Sequence, residues 1–145
     1  MHREYWPFTE SYTDSISFYD SPELYLLQLE FSDPIEAKMF VLYWFQSEIL
    51  NGGLSQFFEN STGVIAPEVV EALKVVGLNE LSESLKLILL KFGGSYERNR
   101  AKRKKIVASN EEYFDALDDS LVHLIYEENG GLESASKNYV AANTC

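Results

Sequence analysis

Asn51-Gly52-Gly53-Leu54-Ser55-Gln56-Phe57-Phe58-Glu59-Asn60-Ser61 divides the chain: a long apolar and aromatic run precedes it and a series of helix-like segments follows. The paired glycines read as a helix stop, because glycine takes the left-handed backbone conformation without a Cβ clash. Gln56 and Asn60 read as buried side-chain amides that hold a tight turn. Leu54 to Asn60 is expected to form a short helical turn, with Ser61-Thr62-Gly63 as its exit.

Upstream, Ser32-Asp33-Pro34-Ile35-Glu36 supplies a capping side chain, a proline at the first helical position and an acid near the positive end of the helix dipole. A helix therefore begins there and runs to the glycines. Ile35, Met39, Leu42, Phe45 or Gln46, and Ile49 recur at three- and four-residue spacing. With Phe40, Val41, Tyr43 and Trp44 added, its middle is apolar nearly all round, which marks it as the most buried helix. Ser21-Pro22-Glu23 starts a shorter helix through about Phe31, with Leu24, Leu27 and Phe31 as its inner face. A strand over Tyr25 to Phe31 is the competing reading. Residues 1–20 form an irregular arm interrupted by Pro7, and its Tyr5, Trp6, Phe8, Tyr12, Phe18 and Tyr19 are too many large aromatics to leave in water.

Downstream, Pro67-Glu68 opens a helix with Val69, Val70, Leu73 and Val76 inward and Gly77 as its stop. Asn79 is expected to cap the next, where Leu81, Leu85, Ile88 and Leu89 or Phe92 repeat before Gly93-Gly94. Ser95 to Ala108 is basic, helical or partly extended. Ser109-Asn110-Glu111-Glu112 introduces a helix through about Tyr126, whose inner face holds Tyr113 or Phe114, Leu117, Leu121 and Leu124 or Ile125. Asn129-Gly130-Gly131 closes it, and a last helix covers about Leu132 to Val140. The expectation is one all-α domain over residues 1–145, an irregular helical bundle of about six to seven helices with short glycine-stopped connections. Residues 110–142 form its C-terminal helices.

At 145 residues and 46% hydrophobic, the chain is the size of one domain and too apolar to stay disordered. No stretch is long and apolar enough for a membrane span, and the N-terminus carries no secretory pattern. A cytoplasmic location and no membrane partner are the expectations. The formal charge is −11, and six of the 12 basic residues fall between Arg98 and Lys105. The remaining surface is strongly acidic: it repels nucleic acid and attracts basic surfaces, although acidity also serves plain solubility.

Chemistry is hard to find. His2 and His123 are the only histidines and Cys145 is terminal, so no metal motif and no cofactor are expected. Asp119, His123 and Glu127 share a helix face at four-residue spacing, but they read as a solvated charged face because no nucleophile accompanies them. No catalytic residue is assigned. Ser55 lacks a nucleophile elbow, and neither glycine pair completes a phosphate or dinucleotide loop. The run Arg98, Arg100, Lys102, Arg103, Lys104 and Lys105 lacks interleaved aromatics for stacking bases, so it reads as a solvated segment offsetting nearby acids. Docking on the acidic face of a second copy is the other use it admits. Glu111, Glu112, Asp115, Asp118 and Asp119 recur at three- and four-residue spacing, which makes a negative stripe opposite Leu117 and Leu121. Charges spaced at about 5–6 Å along such a stripe approach the spacing of backbone phosphates.

Glu48-x-x-Asn51-Gly52-Gly53-x-x-Gln56-Phe57-Phe58-x-Asn60, followed by Ala66-Pro67-Glu68 and Ala72-Leu73-x-x-x-Gly77, resembles the signature of the DNA-mimic protein 19 family. These are small bacterial helical proteins, mostly without an assigned function. The resemblance covers about residues 33–92, and Phe114-x-x-Leu117-Asp118 and Tyr139 are compatible with the family's C-terminal part. The family's best-known member is an acidic protein that imitates duplex DNA and occupies the DNA-binding surface of a transcriptional repressor. The resemblance implies a non-enzymatic partner of basic, DNA-binding regulators. The alternatives are a ligand or enzymatic pocket near Glu48 and Gln56, and a toxin-neutralising or structural module.

Overall fold

The computed structural model of the chain describes residues 22–143, so the aromatic arm over residues 1–20 and Cys145 lie outside the described residues. Those residues form helices and turns without a strand: α1 (Pro22–Glu30), α2 (Pro34–Glu59), α3 (Ala66–Val75), α4 (Asn79–Leu89), α5 (Arg100–Ala108), α6 (Glu111–Glu127) and α7 (Leu132–Asn143). Short 3₁₀ turns over Ser61–Ile65, Leu90–Phe92 and Glu128–Gly130 follow α2, α4 and α6. The expected all-α bundle is what forms.

The 26-residue α2 is the spine, touching α3, α5, α6 and α7. Its start follows from the sequence, for the Asp33 carboxylate accepts the Glu36 amide at 3.0 Å and Pro34 occupies the first turn. Its first limb ends at the glycines as expected: Gly53 (φ 82°, ψ −172°) is non-helical and divides α2 into two helical limbs that meet at a kink, the second being the short helical segment from Leu54 to Glu59. A group on α6 satisfies the amide that this break frees.

Glycine does close other helices. Gly77, Gly93 and Gly131, all at positive φ, follow α3, the turn after α4 and the turn after α6. The expected Asn79 cap on α4 is not used: Asn79 is its first residue, and the capping acceptor comes from a distant segment. Glu128 accepts the Glu80 amide at 2.7 Å and the Leu81 amide at 2.8 Å. A carboxylate there meets two orphan amides and the positive end of the helix dipole together.

Helix α1 presents the opposite face to that expected. Tyr25 is buried and Leu26 and Leu29 pack on the core, while Leu24, Leu27 and Phe31 face outward, Phe31 at 84% exposure. The helix is apolar on both sides, so three- and four-residue spacing finds two rows, and the aromatic Tyr25 decides which one turns inward.

The centre of the core is aromatic. Phe58 packs against Phe57, Phe92 and Phe114 with ring centroids 4.5–5.6 Å apart, and Phe92 stacks on Phe114 at 5.9 Å. The cluster joins α2, the turn after α4 and the start of α6. Full burial of each ring stabilises by about 1.5–3 kcal/mol.

Candidate functional site

Glu48 is buried at 8% exposure, and both carboxylate oxygens are occupied. Gln56 Nε2 donates to Oε1 at 2.7 Å, Asn60 Nδ2 reaches Oε1 and Oε2 at 3.1 and 3.2 Å, and the Thr62 hydroxyl donates to Oε2 at 2.5 Å. All four bonds come from uncharged donors. They tie the first limb of α2 to its second limb and to the following 3₁₀ turn.

The glycines make this closure possible. A Cβ on Gly52 would overlap Gln56 Oε1, so the amide can fold back to Glu48 only over a bare Cα. A Cβ on Gly53 would lie 2.5 Å from Asp118 Oδ2, and its backbone occupies a region open essentially to glycine alone. Asp118 Oδ1 accepts the Leu54 amide released by the break at 2.9 Å. Asn51 and Gly52 are exposed at the bend. Glu48, Gly52, Gly53, Gln56 and Asn60 thus form a joint, with Phe57 and Phe58 of the second limb buried in the core.

The basic run grips the far end of the same joint. Arg103, at 1% exposure, donates Nη1 to the Phe58 carbonyl at 2.5 Å and the Asn60 carbonyl at 3.0 Å. Arg100 Nε donates to the Glu59 carbonyl at 2.8 Å, Tyr96 to Gly63 at 2.7 Å, and Arg98 to Val64 at 2.6 Å. Arg98 also forms a two-pronged ion pair with Glu68 at 2.8 and 2.9 Å. The reading of the whole run as a solvated segment is thus corrected: three arginines and a tyrosine satisfy carbonyls that the end of α2 and the next turn leave without helical partners. Lys102, Lys104 and Lys105 stay exposed. Burial lowers the Arg103 pKa. Burial also opposes the charge of Arg98, but its hydrogen bond and ion pair with Glu68 outweigh that and raise its pKa. Burial pushes the Tyr96 hydroxyl pKa up, more than Arg103 and Arg98 pull it down. Arg103 was legible in principle, being four residues before buried Val107; its inward direction was hidden by the charge of its neighbours.

The acidic stripe divides. Glu111, Glu112, Asp115 and Asp119 are exposed along the outer side of α6, and none pairs with a cation among the described residues. Asp118 is not part of that row. It lies four residues after Phe114 and three before Leu121, both buried, so helical spacing turns it toward α2. Burial raises its pKa, the Leu54 amide lowers it, and Asp115 and Asp119 raise it further. His123 and Glu127 are exposed further along the helix.

Beside the joint, a groove of about 450 Å³ is lined by Trp44, Gln46, Ser47, Glu48, Leu50 and Asn51. Gln56 does not line it, because its amide is committed to Glu48. Among the described residues, no group of three His, Cys, Asp or Glu side chains could hold a metal ion, and no helix is long and apolar enough to cross a membrane.

The family described as DMP19-like protein matches residues 30–143. No curated protein and no solved structure matches the chain. The family match spans the joint, the carbonyl-gripping segment and the acidic helix together, and the chain belongs to the DMP19-like protein family.

Proposed function

We propose that this protein acts by contact and not by catalysis, presenting the outer side of α6 to the basic surface of a protein that otherwise binds DNA. The exposed row of Glu111, Glu112, Asp115 and Asp119 carries the reading. It is a run of unpaired carboxylates on a rigid helix in a chain of net charge −11. Such a row draws cationic surfaces at long range and offers acceptors at spacings near those of backbone phosphates. The signature residues serve this indirectly. Asp118 and the Gly53 break fix α6 against the spine, so the row is held in one orientation.

The test is a column carrying the protein, loaded with host lysate at low salt and eluted with duplex DNA. The reading expects DNA-binding proteins in the eluate, with retention that weakens steeply as salt rises. Retention that duplex DNA does not displace would overturn it.

A further inference from the structure

An aromatic knob stands beside an apolar groove. Phe31 is exposed at 84%, and Leu27, one turn before it on α1, at 51%. The knob is held in place by its backbone: the Phe31 amide donates to the Leu27 carbonyl and the Ser32 amide to the Leu29 carbonyl, both at 3.2 Å. The Ser32 hydroxyl donates to the Gln28 carbonyl at 2.7 Å, and Asp33 caps α2 immediately after. Seating a side chain on so constrained a backbone costs little further ordering, which is what an interface anchor needs.

The groove, of about 390 Å³, opens where the end of α1 and the first turns of α2 and α3 converge. Leu29, Ala37, Val41 and Pro67 give it an apolar lining. A cavity of about 150 Å³ accepts benzene, so there is room for a phenyl ring with an aliphatic side chain beside it. Phe31 rises from the rim, two residues after Leu29 and three before Pro34, yet it does not line the groove of its own chain.

We infer that two copies of the chain pair across this face about a two-fold axis, each seating its Phe31 in the other's groove. A two-fold interface requires one patch that complements itself, and a knob adjoining a hole meets that requirement in shape. The charges meet it too. Lys38 on α2 and Glu71 on α3 line the groove, and neither belongs to an ion pair among the described residues, whereas Glu68 beside them is held by Arg98. In the pair each Lys38 faces the other copy's Glu71, twice by symmetry. The net charge of −11 opposes the approach of two copies, so the apolar anchors carry the association and added salt strengthens it. That sign is opposite to the salt dependence of the outer row of α6. The row does not line this groove, so the pairing leaves it open and does not depend on the function proposed above.

Sedimentation equilibrium of the full chain over about 5–500 μM protein tests the pairing. The expected result is a reversible monomer–dimer equilibrium, tighter at about 0.5 M salt than at about 0.05 M. Phe31→Ala should weaken it at least about tenfold while leaving the thermal midpoint in place, and Ala37→Trp, which fills the groove and spares the knob, should do the same. Lys38→Glu and Glu71→Lys should each weaken it by about fivefold at physiological salt, and an equimolar mixture of the two should return to within about twofold of wild type, because only the mixed dimer restores both opposite-charge contacts. A monomer at every concentration would overturn the pairing and leave the groove to residues 1–20 or to a different protein. A dimer that both F31A and A37W leave intact would overturn it as well, and a mixture no tighter than K38E or E71K alone would overturn the two-fold arrangement.

Discussion

Asp118 Oδ1 accepts the Leu54 amide at 2.9 Å, which places the one carboxylate of the α6 stripe that is not free for a partner against the one break in the spine. Asp118→Ala leaves a buried amide without an acceptor and should cost about 1–3 kcal/mol, read as a lower denaturant midpoint. Asp118→Asn keeps a carbonyl oxygen in place and should recover most of that loss.

The same residue gives a pH dependence with a definite sign. The Asp118 pKa is raised chiefly by burial, so the folded state holds its proton more tightly than the unfolded chain does. Its contribution to stability is full below the unfolded value, about 3.9, and is lost as pH rises through the folded value. Wild type should therefore lose stability relative to D118N as pH climbs from about 4 into the range just above it. Thermal midpoints of both proteins across that range check this, and a gap that moves the other way would contradict it.

Each glycine of the joint fails for its own reason. Gly53→Ala forces a side chain into a glycine-only backbone region and onto Asp118, and should cost about 1–3 kcal/mol from the backbone alone. Gly52→Ala should do its harm through Gln56, so its effect should shrink when Gln56 is already replaced by alanine. Gly63→Ala meets Arg103 and the Phe57 carbonyl, at 2.8 Å, where the backbone cannot yield. A double-mutant cycle between positions 52 and 56 that shows simple additivity would refute the account of Gly52.

Much of this architecture can be read from the residues and some cannot, for physical reasons. The start of α2, the glycine stops after α3 and α4, and the amides closing on Glu48 follow from local chemistry. The partner of the Leu54 amide freed at the Gly53 kink does not, because that acceptor lies 64 residues away in sequence. The Glu128 cap on α4 is hidden for the same reason, since its two amides are 47 and 48 residues distant. For α1, spacing offered two equivalent apolar rows, and only packing chose between them. Asp118 is different: its place between Phe114 and Leu121 already marked the inner side, and its charge drew it into the wrong row.

Removing the Glu128 carboxylate should uncap α4 without touching the core. Glu128→Ala is expected to cost about 1 kcal/mol, with Glu128→Gln intermediate because it retains one acceptor but loses the charge. Amide exchange should accelerate first at Glu80 and Leu81, and uniform acceleration across the chain would argue against a local cap.

The central claim is that the signature joint builds the fold while the outer row of α6 makes the contact. The most direct measurement sets wild type beside E111Q/E112Q/D115N/D119N and compares the DNA-binding proteins each retains and duplex DNA releases, with folding of both verified by thermal unfolding. The account predicts cooperative unfolding of the variant, with the lost interaction of Glu111 and Glu112 with the helix dipole set against relieved like-charge repulsion, and loss of the DNA-released fraction. Equal retention by both proteins would contradict it.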